Sequence, residues 1–288
     1  MRGDFSIDSN DNTLFTTARC NNRCIMCCQP PQSNEDIDEL FKKNIAIIDR
    51  APKYIPVVGI SGGEPTLLGD KLITLIAHIR EKMPDSDIHV LTNGRNFKDP
   101  DFARKIADIA GDKLYIGIPL HSDYYKDHDI IAGQKEAYNE TIAGIFNLAA
   151  CGAAIELRVV INKLNYMRLP QMADFIQKYL PFIAWTAFMG MEHTGYAVAN
   201  EKNIWIEPIE YANKLTEAVL TLAQWRSDVA VYNIPLCLLP DSIRPFAKRS
   251  ISTWKNRYVP DCDGCTLKSE CCGLFSTSRK IFEGIMPQ

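Results

Sequence analysis

Nine of the ten cysteines in this 288-residue chain fall into two groups, and cysteine sulfur is the strongest chemistry the sequence offers. The first group reads Cys20-Asn-Asn-Arg-Cys24-Ile-Met-Cys27-Cys28, directly after a β-prone stretch at 13–17. Thiolates are soft ligands, and three of them at x3 and x2 spacing on one short loop can wrap three corners of a cubane iron–sulfur cluster. Three protein ligands leave one iron open, and an open iron can bind and activate a substrate. Zinc is the competing reading, but structural zinc usually takes four protein ligands. Cys28 is a poor fourth, because adjacent side chains point in divergent directions. The second group lies in the tail, Cys262-Asp-Gly-Cys265 and Cys271-Cys272, with Cys237 upstream. Disulfides suit small exported domains, and this chain is large. Cys151 follows an apolar helical stretch and reads as a small buried residue.

The elements that must position these groups alternate. Strand-like runs at 13–17, 55–60, 88–91, 114–120, 155–161 and 183–189 are separated by helical patterns. Those patterns cover 35–50, 72–83, 102–110, 137–150 and 169–179, and Gly111 is placed to cap the third. Six strands alternating with helices imply a parallel sheet with right-handed crossovers. The expected fold class is therefore α/β, a partial (β/α)6 TIM-type barrel or an open doubly wound sheet. In either, ligands bind at the C-terminal ends of the strands. After about residue 200 the character changes: a long helix at 207–225, a strand at 229–233, then an irregular cysteine-rich tail. The expected division is a core over 1–200 and a small C-terminal domain over 201–288.

Composition sets bounds. Hydrophobic residues at 46% and charged residues at 23% describe a globular chain with material for a sizeable core. The formal net charge of -3 gives no general attraction to nucleic acid or anionic membranes. No apolar run approaches the ~20 residues of a membrane span. The N-terminal residues carry Asp4, Asp8 and Asp11 and lack the pattern of a secretory signal, so a cytoplasmic location is expected.

After the second predicted strand comes Ser61-Gly62-Gly63-Glu64-Pro65-Thr66. Paired glycines let a backbone approach a ligand closely, and a carboxylate accepts hydrogen bonds from an ammonium group. CxxxCxxC after the first strand and GGEP after the second together resemble the signature of the radical S-adenosylmethionine (SAM) superfamily, over roughly residues 13 to 200. The resemblance implies that Cys20, Cys24 and Cys27 ligate a [4Fe–4S] cluster whose fourth iron is chelated by SAM. It further implies that Gly62, Gly63, Glu64 and Pro65 form the turn that binds the methionine amino group. Met26 and Met191 would border the adenine. Asn93, in Thr-Asn-Gly at the end of the third strand, would lie on the cofactor side. Ser122 would reach toward the ribose and Arg158 would pair with the carboxylate. The implied activity is reductive cleavage of SAM to a 5′-deoxyadenosyl radical, with electrons from an external donor.

The tail pattern CxxCxxxxxC resembles the SPASM and twitch auxiliary-cluster domains of peptide-modifying radical SAM enzymes. Phe275 stands where a full SPASM domain continues with a further cysteine, so one auxiliary cluster is expected. Its implied ligands are Cys237, Cys262, Cys265 and Cys271, with Cys272 as a substitute for Cys271 and zinc as the alternative metal. Four segments resemble the C-type His-Xaa-Ser system radical SAM maturases. They are Cys24-Ile-Met-Cys27-Cys28-Gln-Pro-Pro, Tyr232-Asn-Ile-Pro-Leu-Cys-Leu-Leu-Pro, Ile251-Ser-Thr-Trp-Lys and Pro260-Asp-Cys262-Asp-Gly-Cys265. That resemblance implies a peptide or protein substrate and a partner maturase. The alternatives are a radical enzyme acting on a small metabolite, and an iron–sulfur or zinc protein used for electron transfer or interaction. His121, His128 and His193 read as polar loop residues, and none is given a role.

Overall fold

The structure is a computed structural model, and it describes residues 5–9, 12–33 and 37–288. Residues 35 and 36, at the start of the first expected helix, lie outside these, as do Asp4 and Asp11. In chain order the elements are β1 (Thr13–Phe15), α1 (Ile37–Arg50), β2 (Val57–Ser61), α2 (Asp70–Lys82), β3 (Asp87–Leu91), α3 (Pro100–Ala110), β4 (Leu114–Pro119) and α4 (Tyr125–Ala132). They continue with α5 (Ala137–Ala150), β5 (Ala154–Val160), α6 (Leu169–Tyr179), β6 (Trp185–Met189), α7 (Tyr196–Ala199), α8 (Glu201–Ile204) and α9 (Pro208–Gln224). Short strands β7 (Val229–Tyr232), β8 (Ala247–Lys248), β9 (Asn256–Arg257) and β10 (Leu274–Phe275) complete the chain. Strands β1 to β8 enter one sheet in chain order. This is the expected α/β class, and the sheet runs two strands past the six expected.

The chain divides into two compact units. The first comprises 1–23, 30–119 and 136–156. In it β1, β2, β3 and β4 pair in parallel, each with the next. Val58, Ile60, Ile88, Val90 and Ile116 are fully buried, whereas alternate residues such as Gly59, His89 and Tyr115 keep partial exposure. That period-two contrast separates a helix-covered face from the opposite one. Helix α2 contributes Leu72, Leu75, Ile76 and Ile79 to the core, at the spacing of one helix face. Helix α3 begins on an Asp99 side-chain cap with Pro100 at its first position. It ends at Gly111, whose φ of 71 a side chain would resist, as the sequence led us to expect.

The second unit comprises 24–29, 120–135 and 157–288. Strand β7 pairs in parallel with β6, and β8 with β7, so the strand foreseen at 229–233 extends the sheet. Helix α9 opens with a capping box, in which Glu207 and Glu210 each accept from the other's end of the turn. Its Leu215, Val219 and Leu222 are buried, and it packs on α6. Strands β9 and β10 form an antiparallel two-residue ribbon in the tail. Helix α4 was not expected. Its segment, Tyr-Lys-Asp-His-Asp-Ile-Ile-Ala, buries only His128, Ile131 and Ala132 and has no side-chain cap, so it carries little helical periodicity. Among the described residues, no helix is long and apolar enough to cross a membrane.

Candidate cofactor and metal sites

The glycine turn is fixed by the segment that leads from β1 into the cysteine loop. Gly63 N–H donates to Thr17 O at 2.6 Å, and Glu64 N–H donates to Arg19 O at 2.8 Å. A Cβ on Gly62 would press on the Thr17 carbonyl oxygen, and one on Gly63 would run into that of Arg19. The glycines are therefore demanded by this backbone contact, whatever the turn binds. Glu64 is fully buried, and its carboxylate is surrounded by donors. Oε1 accepts from Thr66 N at 3.0 Å, Thr66 Oγ1 at 2.6 Å and Thr92 Oγ1 at 2.6 Å; Oε2 accepts from Asn93 N at 2.7 Å. Burial pushes this carboxyl above the usual range, against those hydrogen bonds. Pro65 begins the buried turn that follows.

Asn93 continues the chain of contacts into the cysteine loop. Its Nδ2 donates to Asn21 Oδ1 at 2.6 Å and lies 3.9 Å from Cys20 Sγ; its Oδ1 accepts from Arg95 N at 3.0 Å. Arg95, to which the sequence reading gave no role, is nearly buried and holds the same loop. It donates to Asn21 O at 2.6 Å and Asn22 Oδ1 at 2.8 Å, and its Nε and Nη2 bind Glu140 at 2.7 and 2.6 Å. Cys20 is half-buried, and desolvation raises its thiol pKa. The only sequence signal for Arg95 is its place directly after Thr-Asn-Gly.

Cys24 and Cys27 belong to the second unit. The loop between them is a tight turn, with Cys27 N–H donating to Cys24 O at 2.9 Å. It is held by Ile25 N–H to Ile131 O at 3.0 Å, Asn200 Nδ2 to Ile25 O at 2.9 Å and Tyr196 N–H to Cys27 O at 2.9 Å. Met26 and Met191, both expected beside an adenine, lie in one apolar cluster with Ile131, Ala197 and Ile204. Ser122 is buried and its Oγ accepts from Tyr124 N at 3.1 Å. Arg158 lies half-buried on β5. The three histidines are not loop residues at the surface: His121, His128 and His193 are all buried. His121 Nε2 lies 3.9 Å from Cys24 Sγ, and burial with His128 alongside lowers the pKa of its imidazole.

In the tail, Cys237, Cys262, Cys265 and Cys271 line one cleft, together with Tyr258 and Lys268. Cys272 does not line it. Its side chain is buried with Ile251 and Phe275. A hydrogen bond from Cys272 pulls the Cys271 thiol down to about 6, aided by the backbone N–H groups of Gly273 and Leu236. Thiols are the donor type that iron–sulfur and zinc sites take, and these four border one cleft without being drawn together around a point. Among the described residues, no three His, Cys, Asp or Glu side chains are gathered at metal-ligating distance. Cys151 sits half-buried at the end of α5, its N–H closing the last turn.

A sheet of parallel strands with a cysteine loop after β1 and a Gly-Gly-Glu-Pro turn after β2 defines a class, and comparison with known proteins agrees with it. The model of the radical SAM superfamily matches residues 14–176. The chain belongs to that superfamily, and membership implies a [4Fe–4S] cluster and SAM. It is 32% identical over 164 residues to an Fe-coproporphyrin III synthase of Methanosarcina barkeri, covering 56% of this chain and 39% of that protein. In fold it resembles Streptococcus suis SuiB bound to its precursor peptide SuiA, with a TM-score of 0.55, 15% identity and coverage of 76% and 47%. It also resembles anSMEcpe with bound AdoMet and the Cp18Cys peptide, with a TM-score of 0.56, 14% identity and coverage of 76% and 62%. In each comparison the match covers less than two thirds of the other chain.

Proposed function

We propose that this protein is a radical SAM enzyme that modifies a peptide or protein, with Cys20, Cys24 and Cys27 holding the SAM-binding [4Fe–4S] cluster. Cys237, Cys262, Cys265 and Cys271 hold a second, auxiliary cluster in a domain over 201–288. The observation that carries the peptide reading is the tail cleft: four cysteines line it, as an auxiliary site requires. The fold likeness to SuiB and anSMEcpe, whose structures contain peptides, supports the same reading.

A SAM-binding [4Fe–4S] cluster supplies one-electron cleavage of the sulfonium, giving methionine and a 5′-deoxyadenosyl radical that abstracts hydrogen from a C–H bond. Asn93 and Arg95 brace the residues that follow Cys20. The backbone of Gly62 and Gly63 would receive the methionine amino group, with Glu64 beneath it. Arg158 would meet the carboxylate and Ser122 the ribose. The apolar cluster of Met26 and Met191 would exclude water from one face of the adenine. Thiolate chemistry of this kind suits a reducing, cytoplasmic setting, with an external electron donor and a partner maturase as the expected associates.

The test is anaerobic reconstitution with iron and sulfide, then reduction, SAM addition and assay of 5′-deoxyadenosine. Formation by wild type and not by Cys24→Ala, with about eight irons per chain for two cubane clusters, is expected. A cluster-loaded protein that yields none, with candidate peptides present, overturns the reading. The Fe-coproporphyrin III synthase likeness favours a second reading, action on a small cofactor-like molecule. SAM turnover stimulated by a porphyrin and not by a peptide would establish it.

A further inference from the structure

None of the roles proposed for the cysteine loop involves His121, yet its placement is tightly specified. Both of its backbone polar groups are held by side chains. Its N–H donates to His128 Nδ1 at 3.1 Å, and its carbonyl accepts from Asn165 Nδ2 at 2.9 Å. Asn165 is itself fixed, donating to Val160 O at 3.0 Å and accepting from Asn162 N at 2.8 Å. The residue is 3% exposed, and Nε2 lies 3.9 Å from Cys24 Sγ, within reach of an N–H···S bond. Nδ1 is buried and, among the described residues, has no hydrogen-bond partner.

A neutral imidazole carries one N–H, on one nitrogen or the other. With the proton on Nδ1, a buried donor would be left without an acceptor, and the Nε2 lone pair would face sulfur. A metal-bound thiolate has no proton to offer and only accepts. With the proton on Nε2, the donor is satisfied by Cys24, and only an acceptor is left unpaired. The second arrangement is the one the geometry favours, because an unmade buried donor costs about 1–3 kcal/mol.

We propose that His121 is a positioning residue that donates its Nε2–H to the Cys24 sulfur and thereby raises the reduction potential of the cluster on Cys20, Cys24 and Cys27. The proposal rests on that ligand set. Reduction adds a negative charge that is shared with the thiolates, and a donor aimed at a ligand sulfur stabilises the more negative state.

The experiment is a potentiometric titration of full-length, cluster-loaded wild type, His121→Phe and His121→Gln. It follows the electron paramagnetic resonance signal that changes on SAM addition, which marks the cluster with the open iron. At a fixed solution potential, His121→Phe is expected to show about a tenfold lower reduced-to-oxidised ratio, equivalent to ~59 mV for a one-electron couple. His121→Gln, whose amide N–H can reach the sulfur, is expected to recover most of that loss. An unmoved potential in His121→Phe at wild-type iron content overturns the proposal. Absence of a SAM-sensitive signal from wild type overturns the ligand set beneath it, and the proposal falls with it. Should His121→Phe take up no cluster, pulsed resonance on wild type carrying ¹⁵N-labelled histidine decides. A ¹⁵N coupling lost in His121→Gln supports the bond, and no coupling overturns it.

Discussion

Arg95 joins the cysteine loop to the rest of its unit through all three guanidinium nitrogens, and Glu140 is the anion that holds it there. Burial works against the Glu140 charge, but the hydrogen bonds from Lys98 and Arg95 outweigh it and hold the carboxyl below its usual value. The folded carboxylate therefore binds fewer protons than the unfolded one at mildly acidic pH. Its contribution to stability is present above the unfolded value of 4.5 and is lost as pH falls through the lower folded one. In urea unfolding, the stability gap between wild type and Glu140→Gln should be largest near neutral pH and should shrink toward about pH 3. A gap that grows on acidification would contradict this account. Arg95→Ala removes both the ion pair and the loop contacts, so a loss of roughly 3 kcal/mol is expected. Iron uptake should fall with it, and a colorimetric iron count on reconstituted protein reads that directly.

At the scale of elements, the turn after β2 and the run after β1 are held as one piece by backbone contact. This gives the two halves of the family signature a mechanical link: the turn and the approach to Cys20 move together. Gly63→Ala would drive a methyl group into the Arg19 carbonyl, whereas the space around Gly264 is open. Chemical denaturation of the two alanine variants should separate them, with a loss of about 1–3 kcal/mol at position 63 and under about 0.5 at 264. Equal stability in both would mean that the turn is looser than its hydrogen bonds indicate. Glu64 belongs to this scale as well. Its four accepted bonds tie the turn to the end of β3, and from there through Asn93 to Asn21.

For the molecule as a whole, the sheet continues past the six strands that the chain supplies up to Met189, and the tail folds around its own cleft. The adjacent cysteines of that tail are sharply distinguished: Cys271 lines the cleft, and Cys272 packs among apolar side chains. Metal content of the reconstituted protein should therefore fall by about half in Cys271→Ser, for two cubane clusters. It should stay at the wild-type level in Cys272→Ser. The reverse pattern would reassign the ligand. Full metal content in both would exclude this pair from the site.

The sequence by itself determined what is local. The cysteine spacing, the Gly-Gly-Glu-Pro turn after a strand, the alternation of strands and helices and the cap at Gly111 each depend on neighbours a few residues away. It did not show that the backbone after β1 requires glycine at 62 and 63, whatever the turn binds. It placed Cys271 ahead of Cys272 only through the resemblance, since their difference lies in which side of the chain faces the cleft. Arg95, His121 and Asn165 were out of reach for a related reason: their partners are far away in the chain. Arg95 meets Asn21 74 positions earlier, and Asn165 meets His121 44 positions earlier. No spacing rule encodes such a meeting. It exists only once parallel strands, joined by long crossovers, bring the ends of distant segments side by side.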